Sequence, residues 1–378
     1  MTQHVIYCEK EFLKDFILSF SKLSFDRQKT GLQIVDFLSK SPIVFNVSKE
    51  QLNSDDELKG NQLFEYIKKR SLEGNNNGKH RWAYDFFCDY SNSPQSKQEL
   101  SSIYLTVKSE LDCNRIMKKW GILAFNKESL LKNEYIFEDC GIALPDNNIA
   151  HNGWNSILNY KLVNICNSLL VIDNYLLQSD INQTYANKSV AEKIKNNLIP
   201  ILDALLPKEI SIPFHLYIYA CEDICPFKSL MDEEDENSLY NLIRGLRGGK
   251  VPIEIRLINS KSGNKKLFHD RVILSNNIRI SSGMGFDLYG EDNLQINKPT
   301  TISILFPYIQ RSTPWIVRAY ENDLETANKV AKSNIGWGDE FVNRLLDYDT
   351  SKTDEKKSVN YNSSPGLIGS LSSLKKYK

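Results

Sequence analysis

Leu267-Phe-His-Asp-Arg-Val-Ile-Leu-Ser-Asn-Asn-Ile-Arg-Ile-Ser-Ser-Gly-Met-Gly-Phe-Asp287 is the stretch on which the fold of the C-terminal half turns. Val272-Ile273-Leu274 and Ile278-Arg279-Ile280 are β-rich runs. Ser275-Asn276-Asn277 between them supplies asparagines, which tolerate the positive φ of a tight hairpin turn. With Asn276 and Asn277 as the loop, Ile273 faces Ile280 and Arg271 faces Ser282. Side chains alternate along a strand, so His269, Arg271 and Ser282 are expected on one face. Gly283 and Gly285 follow, able to take φ values and close backbone approaches that other residues resist. An imidazole, a guanidinium, a hydroxyl and exposed amides around one point suit a phosphate or another oxyanion. The plainer reading is a structural His beside Asp in a strand, with glycines that only turn the chain.

The surroundings favour an anion. From Arg244 to Arg279 there are nine basic residues: Arg244, Arg247, Lys250, Arg256, Lys261, Lys265, Lys266, Arg271 and Arg279. Only Glu254 and Asp270 oppose them, in a chain whose 47 basic and 47 acidic residues balance overall. A local excess of this kind attracts phosphates, nucleic acid or anionic lipid, although a solvated surface is the ordinary fate of a charge run. The opposite run, Asp232-Glu-Glu-Asp-Glu236, precedes an expected helix at 238–247, where acids complement the helix dipole. It lacks the spaced ligands and glycine turn of a calcium loop.

Composition narrows the class. With 41% hydrophobic and 25% charged residues the chain reads as globular, and 378 residues suffice for two cores. No apolar run approaches the roughly 18–20 residues of a membrane span, and the first residues lack the layout of a signal peptide. Seven cysteines stand at scattered spacings, with Cys221 and Cys225 too far apart for the usual zinc or redox pair. Reduced thiols and a cytoplasmic setting follow as expectations, with no metal and no cofactor.

Periodicity divides the chain. Residues 1–145 read as a small α/β domain: a strand at 4–8, a helix with Phe12, Phe16, Ile17 and Phe20 at helical spacing, a second helix near 32–38, and strands at 42–46, 102–107 and 121–125. Its acids, Glu9, Asp26 and Asp36 among them, show no spacing that would bring them together. Turn formers cluster at Leu144-Pro-Asp-Asn-Asn-Ile-Ala-His-Asn-Gly153, the expected boundary. Residues 150–347 then alternate strand (169–175), helix (189–206), strand (214–220), helix (238–247) and strand (253–258), followed by the hairpin, a last strand at 300–306, and helices near 320–332 and 339–346. That order implies a mixed, largely parallel sheet flanked by helices and finished by a hairpin. Residues 348–378 read as a flexible basic tail, Ser/Lys/Asn-rich from Ser351 on.

The order of Leu170-Val-Ile-Asp-Asn-Tyr175, helix, strand, helix, strand, then His269-Asp-Arg and Ser282-Gly-Met-Gly-Phe-Asp287, resembles the phospholipase D-like fold over about residues 150–310. It is most similar to the single-motif variant found in the C-terminal domain of MIT-domain proteins and in related prokaryotic proteins, often linked to phage defence. The resemblance implies His269 as a nucleophile toward phosphorus, with a phosphate-steadying residue two positions on. That position holds Arg271 where the family has Lys, and Asn276 stands where it has Asp. No second motif exists, since His80, His151 and His215 lack a Lys or Arg two residues later. A complete site would need two chains. Arginine holds phosphate well, so binding survives these replacements better than hydrolysis. The expectation is a phosphate or anionic-ligand binding protein, its ligand a nucleic-acid backbone, acting as an accessory subunit of a prokaryotic defence-type assembly. The ligand set is His269, Arg271, Ser282, Gly283, Gly285, Arg244, Arg247, Lys265, Lys266 and Arg279. The alternative is a homodimeric, metal-independent phosphodiesterase or nuclease using His269 and Arg271. Nucleic acid, and a protein partner or second copy, are the expected partners; an anionic membrane is a third.

Overall fold

Continuous apolar triplets build the first sheet. β1 (Ile6–Cys8), α1 (Lys10–Ser19), α2 (Phe25–Lys40), β2 (Ile43–Phe45), α3 (Lys49–Asn53), α4 (Gln62–Lys68), β3 (Ile103–Leu105), α5 (Glu110–Trp120), β4 (Leu123–Phe125) and α6 (Lys127–Lys132) follow in chain order. The four strands lie parallel in the order β2-β1-β3-β4, and every strand residue is buried. A parallel sheet covered on both faces selects such runs rather than an alternation. α1 buries Phe12, Leu13, Phe16 and Ile17 against it, and Asn61 caps α4 by accepting from the amides of Leu63 and Phe64. α2 is twice as long as its periodicity suggested. Gly31 hides it, because a Cβ there would stand 2.8 Å from Leu23 Cδ1 and 3.1 Å from the Phe20 ring. The helix passes that close to the preceding turn.

This computed structural model describes residues 6–41, 43–69, 103–120, 123–133, 136–138, 140–144, 153–160, 168–177, 194–206, 214–221, 230, 235–236, 238–246, 253–262, 265–266, 268, 270–275, 278–289, 299–307, 309–310 and 313–333. The expected helix at 339–346 and the tail at 348–378 lie outside them. No helix among the described residues is long and apolar enough to cross a membrane.

The second sheet carries the hairpin. Its elements are β5 (Cys140–Leu144), α7 (Gly153–Tyr160), β6 (Ser168–Ile172), a π-helical turn (Ile194–Leu198) running into α8 (Ile199–Leu205), β7 (Phe214–Ala220), α9 (Leu239–Leu246), β8 (Ile253–Asn259), the small pair β9 (Lys261–Ser262) and β10 (Lys265–Lys266), β11 (Arg271–Ser275), β12 (Arg279–Ser282), β13 (Thr300–Leu305) and α10 (Pro314–Ser333). The order is β5-β13-β12-β11-β6-β7-β8. β6, β7 and β8 are parallel; every other pairing is antiparallel. The sheet is mixed and helix-flanked as expected, but its parallel part is smaller than the reading supposed. The architecture is α/β in both units.

Two apolar faces result. Leu169, Val171, Leu216, Ile218, Ile273 and Ile280 meet Trp154 and Ile157 of α7, Ile201 and Leu202 of α8, and Leu239 and Ile243 of α9. The opposite face, with Leu170, Ile172, Tyr217, Tyr219, Val272 and Leu274, takes Tyr320, Ala327 and Val330 of α10. The Tyr320 hydroxyl donates to the Ser275 carbonyl at 2.8 Å, and that of Tyr219 to the Ala327 carbonyl at 3.2 Å. α10 is thus tied to the sheet at two points about two turns apart.

One boundary moves. Residues 140–144, assigned from sequence to the first domain, pair with β13 as an edge strand of the second sheet. The segment just before them holds to the first unit: the Phe137 ring meets Phe37 at 6.1 Å, and the Glu138 carboxylate accepts from Lys29 and Gln33. The Glu138 carbonyl meanwhile accepts from Gln310 of the second unit. β5 is thus a strand of the second sheet although it precedes the turn-rich stretch after Leu144, because strand pairing and not turn composition decides sheet membership.

Candidate functional site

The hairpin register is the expected one. Arg271 pairs with Ser282 and Ile273 with Ile280, while the Ser275 amide donates to the Ile278 carbonyl at 2.9 Å. Asn276 and Asn277 lie outside the described residues. β11 also pairs antiparallel with β6, Val272 opposite Ile172, so the next position on β6, Asp173, comes opposite Arg271. Asp173, Arg271 and Ser282 form one cross-strand row at the sheet edge where β6, β7 and β8 end. In open α/β sheets, ligands bind beyond the carboxyl ends of parallel strands.

Arg271 is half-buried, and its guanidinium is oriented by neutral groups. It sits 5.4 Å from the centre of the Tyr175 ring, and Nη1 donates to the Gly283 carbonyl at 3.4 Å. Among the described residues no carboxylate lies within ion-pair distance of it. The carboxylate of Asp173, opposite it in the cross-strand row, attracts it without direct contact.

The turn beside it is closed from inside. The Ser282 hydroxyl donates to the Gly285 carbonyl, the Met284 amide to Thr300 Oγ1 at 3.2 Å, and the Phe286 amide to Asp173 Oδ2 at 2.9 Å. Gly283 and Met284 are left exposed at the tip. Ser282, assigned from sequence to the ligand, instead spends its hydroxyl proton on building the turn. Gly285 has φ +101°, and a Cβ there would stand 3.0 Å from Asp173 Oδ2 and 3.1 Å from Asp287 Oδ1. Gly285→Ala is expected to cost about 2 kcal/mol from backbone strain and this crowding. Urea denaturation beside wild type measures it, and a loss below about 0.5 kcal/mol would show that the turn takes a different course.

Asp173 is 1% exposed. Its Oδ1 accepts from the Tyr175 amide at 2.9 Å, as Oδ2 does from Phe286. Burial pushes its carboxyl up to about 6 and nearby Asp287 adds to that, while the two amides and the Arg271 guanidinium pull the other way. Asn174, also buried, donates through Nδ2 to the Phe268 carbonyl at 3.0 Å and accepts from the Ser260 hydroxyl. The Phe268 ring stands edge-on to Tyr219 at 5.5 Å.

The other expected ligand residues divide. The β9–β10 ladder, Lys265 opposite Ser262 and Lys266 opposite Lys261, follows directly from the carboxyl end of β8 and so shares an edge with Arg271. Arg279 does not join them. It lies at the far end of β12, 8% exposed, its Nε donating to Asp323 Oδ2 at 2.7 Å. Arg256, another member of the basic run, is buried over the Tyr217 ring at 5.4 Å. Arg244 is in the last turn of α9, which leads back toward the start of β8 and away from Arg271. His269 and Arg247 lie outside the described residues; Phe268 and Asp270, either side of His269, lie within them.

Asp173, Asn174, Tyr175 and Asp287 lie in the segments that carry the resemblance but were not assigned to the site from sequence. The available signal was the abrupt polar pair Asp173-Asn174 ending the apolar run Leu169-Leu-Val-Ile172, the usual place for a functional side chain on a rigid scaffold. In the first unit the acids do not converge. Glu9 accepts from the Tyr104 hydroxyl at 2.8 Å and the Val107 amide at 2.7 Å, and Asp36 pairs with Lys40. Among the described residues no group of three or more His, Cys, Asp or Glu could hold a metal ion. No protein-family model matches the chain, and no curated protein matches its sequence.

Proposed function

We propose that the chain binds phosphodiester anions, a nucleic-acid backbone foremost, through the carboxyl edge of its second sheet. The observation that carries this reading is Arg271: a guanidinium held by an aromatic ring and a carbonyl, in direct ion-pair contact with no carboxylate among the described residues and attracted only at longer range by buried Asp173, beside an exposed glycine-containing turn. Arginine so prepared offers a bidentate grip on a phosphate with little further ordering. Lys265 and Lys266, whose backbone pairs at the same edge, belong to the basic run that would attract such a ligand. The resemblance to the phospholipase D-like fold supports the same ligand class, in a degenerate form with Arg271 and Asn276 in place of Lys and Asp. The reading extends to an accessory subunit of a prokaryotic defence-type assembly, cytoplasmic, working with a protein partner or a second copy. The buried, unpaired thiols of Cys8, Cys113 and Cys221 suit that compartment.

The test is fluorescence anisotropy with a tetramethylrhodamine-labelled oligothymidylate, in EDTA, over a salt series. Wild type binds with a marked salt slope and releases no shorter product. Arg271→Ala weakens binding about ten-fold and lowers the slope by about one. Binding indifferent to Arg271→Ala would sink the proposal. Cleavage abolished by His269→Ala would replace it with the phosphodiesterase reading, and affinity for anionic vesicles without affinity for the oligonucleotide would move the ligand to a membrane surface.

A further inference from the structure

Asp173 and Asn174 are adjacent in sequence yet bond to opposite ends of the hairpin segment. Asn174 holds the carbonyl of Phe268, the residue before His269, and Asp173 holds the amide of Phe286, the residue after Gly285. Residues 268 and 286 bracket the segment bearing His269, Arg271, Gly283 and Gly285. The strand end supplying both contacts is itself fixed. The Asp173 amide donates to the Tyr219 carbonyl at 3.1 Å, and the Cys221 amide to the Asn174 carbonyl at 3.4 Å. The Ser260 amide adds a tie to the Ala220 carbonyl at 2.9 Å, so the ends of β6, β7 and β8 are bound together at this point.

We infer that Asp173 and Asn174 are the positioning residues of the anion site, a two-residue clasp that sets the spacing between the His269 end of the hairpin and its glycine turn. This rests on the anion-binding reading of Arg271. Neither side chain reaches the exposed mouth; each acts through the backbone that it holds. Their identities match the two tasks. Asp173 faces two amide donors, and an ionised carboxylate accepts from both, whereas an amide would turn its own NH2 against one of them. Asn174 faces a carbonyl and a hydroxyl and needs one donor and one acceptor, which a carboxylate cannot supply. The two residues are close in size and not interchangeable. Tyr175, next in the chain, has its ring under Arg271, so the clasp also sets the surface on which the guanidinium rests.

A double-mutant cycle with Arg271→Ala tests this, read by anisotropy of the same oligothymidylate at pH 7.5, with circular dichroism and thermal melting on each variant. Asp173→Asn and Asn174→Asp each weaken binding about five-fold in the wild-type background, and the exchange Asp173→Asn/Asn174→Asp does not restore it. In the Arg271→Ala background the same changes have no further effect, which a general loss of stability would not produce. Ser260→Ala, which removes only the hydroxyl bonded to Asn174, carries the same cycle should Asn174→Asp not fold. As a spectroscopic marker, the Phe286 and Tyr175 amide proton resonances titrate with a midpoint near 6 in wild type, where Arg271 and Asp287 are the charged neighbours, and stay flat in Asp173→Asn. Equal losses in both backgrounds, or no loss while Arg271→Ala weakens binding, overturn the clasp alone. Absent binding by wild type, or binding that Arg271→Ala leaves intact, overturns the anion site and the clasp with it.

Discussion

Trp154→Ala lowers the unfolding free energy by about 4 kcal/mol, the largest loss expected from a single side chain near the site. Trp154 is fully buried on α7, its ring 5.8 Å from that of Phe286 and 6.1 Å from that of Tyr289. Its Nε1 donates to Asn197 Oδ1 at 3.1 Å, and Asn197 exchanges two further hydrogen bonds of 2.9 Å with the Tyr289 backbone. Truncation opens a cavity under the chain that leaves the glycine turn. Asn197 keeps its bonds to Tyr289, so transfer and cavity terms dominate the loss and the polar contribution is small. Trp154→Phe, retaining most of the apolar volume, costs about half as much. Urea unfolding followed by far-ultraviolet circular dichroism reads both. A loss under about 1 kcal/mol for Trp154→Ala would mean that α7 is not docked as described. Amide exchange at Phe286 should quicken in the variant, since the ring that backs it is gone.

The second large effect is a pH dependence of stability carried by Asp173. Its folded-state carboxyl is pushed up to about 6, above an ordinary unfolded value near 3.9. The native state therefore holds this proton more tightly than the unfolded chain does. Stabilisation from the group is complete below about pH 4, is lost as pH rises through 6, and stays constant beyond. The gap between the two values corresponds to about 3 kcal/mol. Asp173→Asn has no such titration. Between pH 4 and 7.5 the stability of wild type relative to Asp173→Asn should thus fall by about 3 kcal/mol, whatever the offset between them at either end. Chemical denaturation of both proteins at four pH values across this range measures the difference. A difference constant within about 1 kcal/mol would show an ordinary carboxylate and remove this account of its burial. The low-pH stabilisation is compatible with the clasp, because the ionised form that accepts both amides is the one present at neutral pH.

Much of the hairpin was legible because the cause is local. Alternating Val272, Ile273 and Leu274, two asparagines and Ile278, Arg279 and Ile280 admit one register in which the apolar residues of each face stay together. The same holds for β7, found over the residues expected. Where neighbours distant in sequence decide, the reading ran short. Nothing near Arg279 announces Asp323, forty-four positions on, so an internal ion pair read as part of a surface patch. Arg256 looked equally free and lies over Tyr217. Ser282 was correctly placed opposite Arg271, yet its hydroxyl turns to Gly285 instead of outward.

The sequence by itself determined the α/β class, the hairpin register, and the pairing of Arg271 with Ser282 before a glycine turn. These follow from side-chain period and turn chemistry within a few residues, which act before any tertiary contact forms. Only the tertiary structure decided that β5 joins the second sheet, that Asp173 and Asn174 stand at the two ends of the hairpin segment, and that Arg271 rests on a ring at the sheet's carboxyl edge with buried Asp173 opposite it. Such choices depend on which backbone and charged groups are desolvated together, and that is set by strand order, which no local pattern encodes.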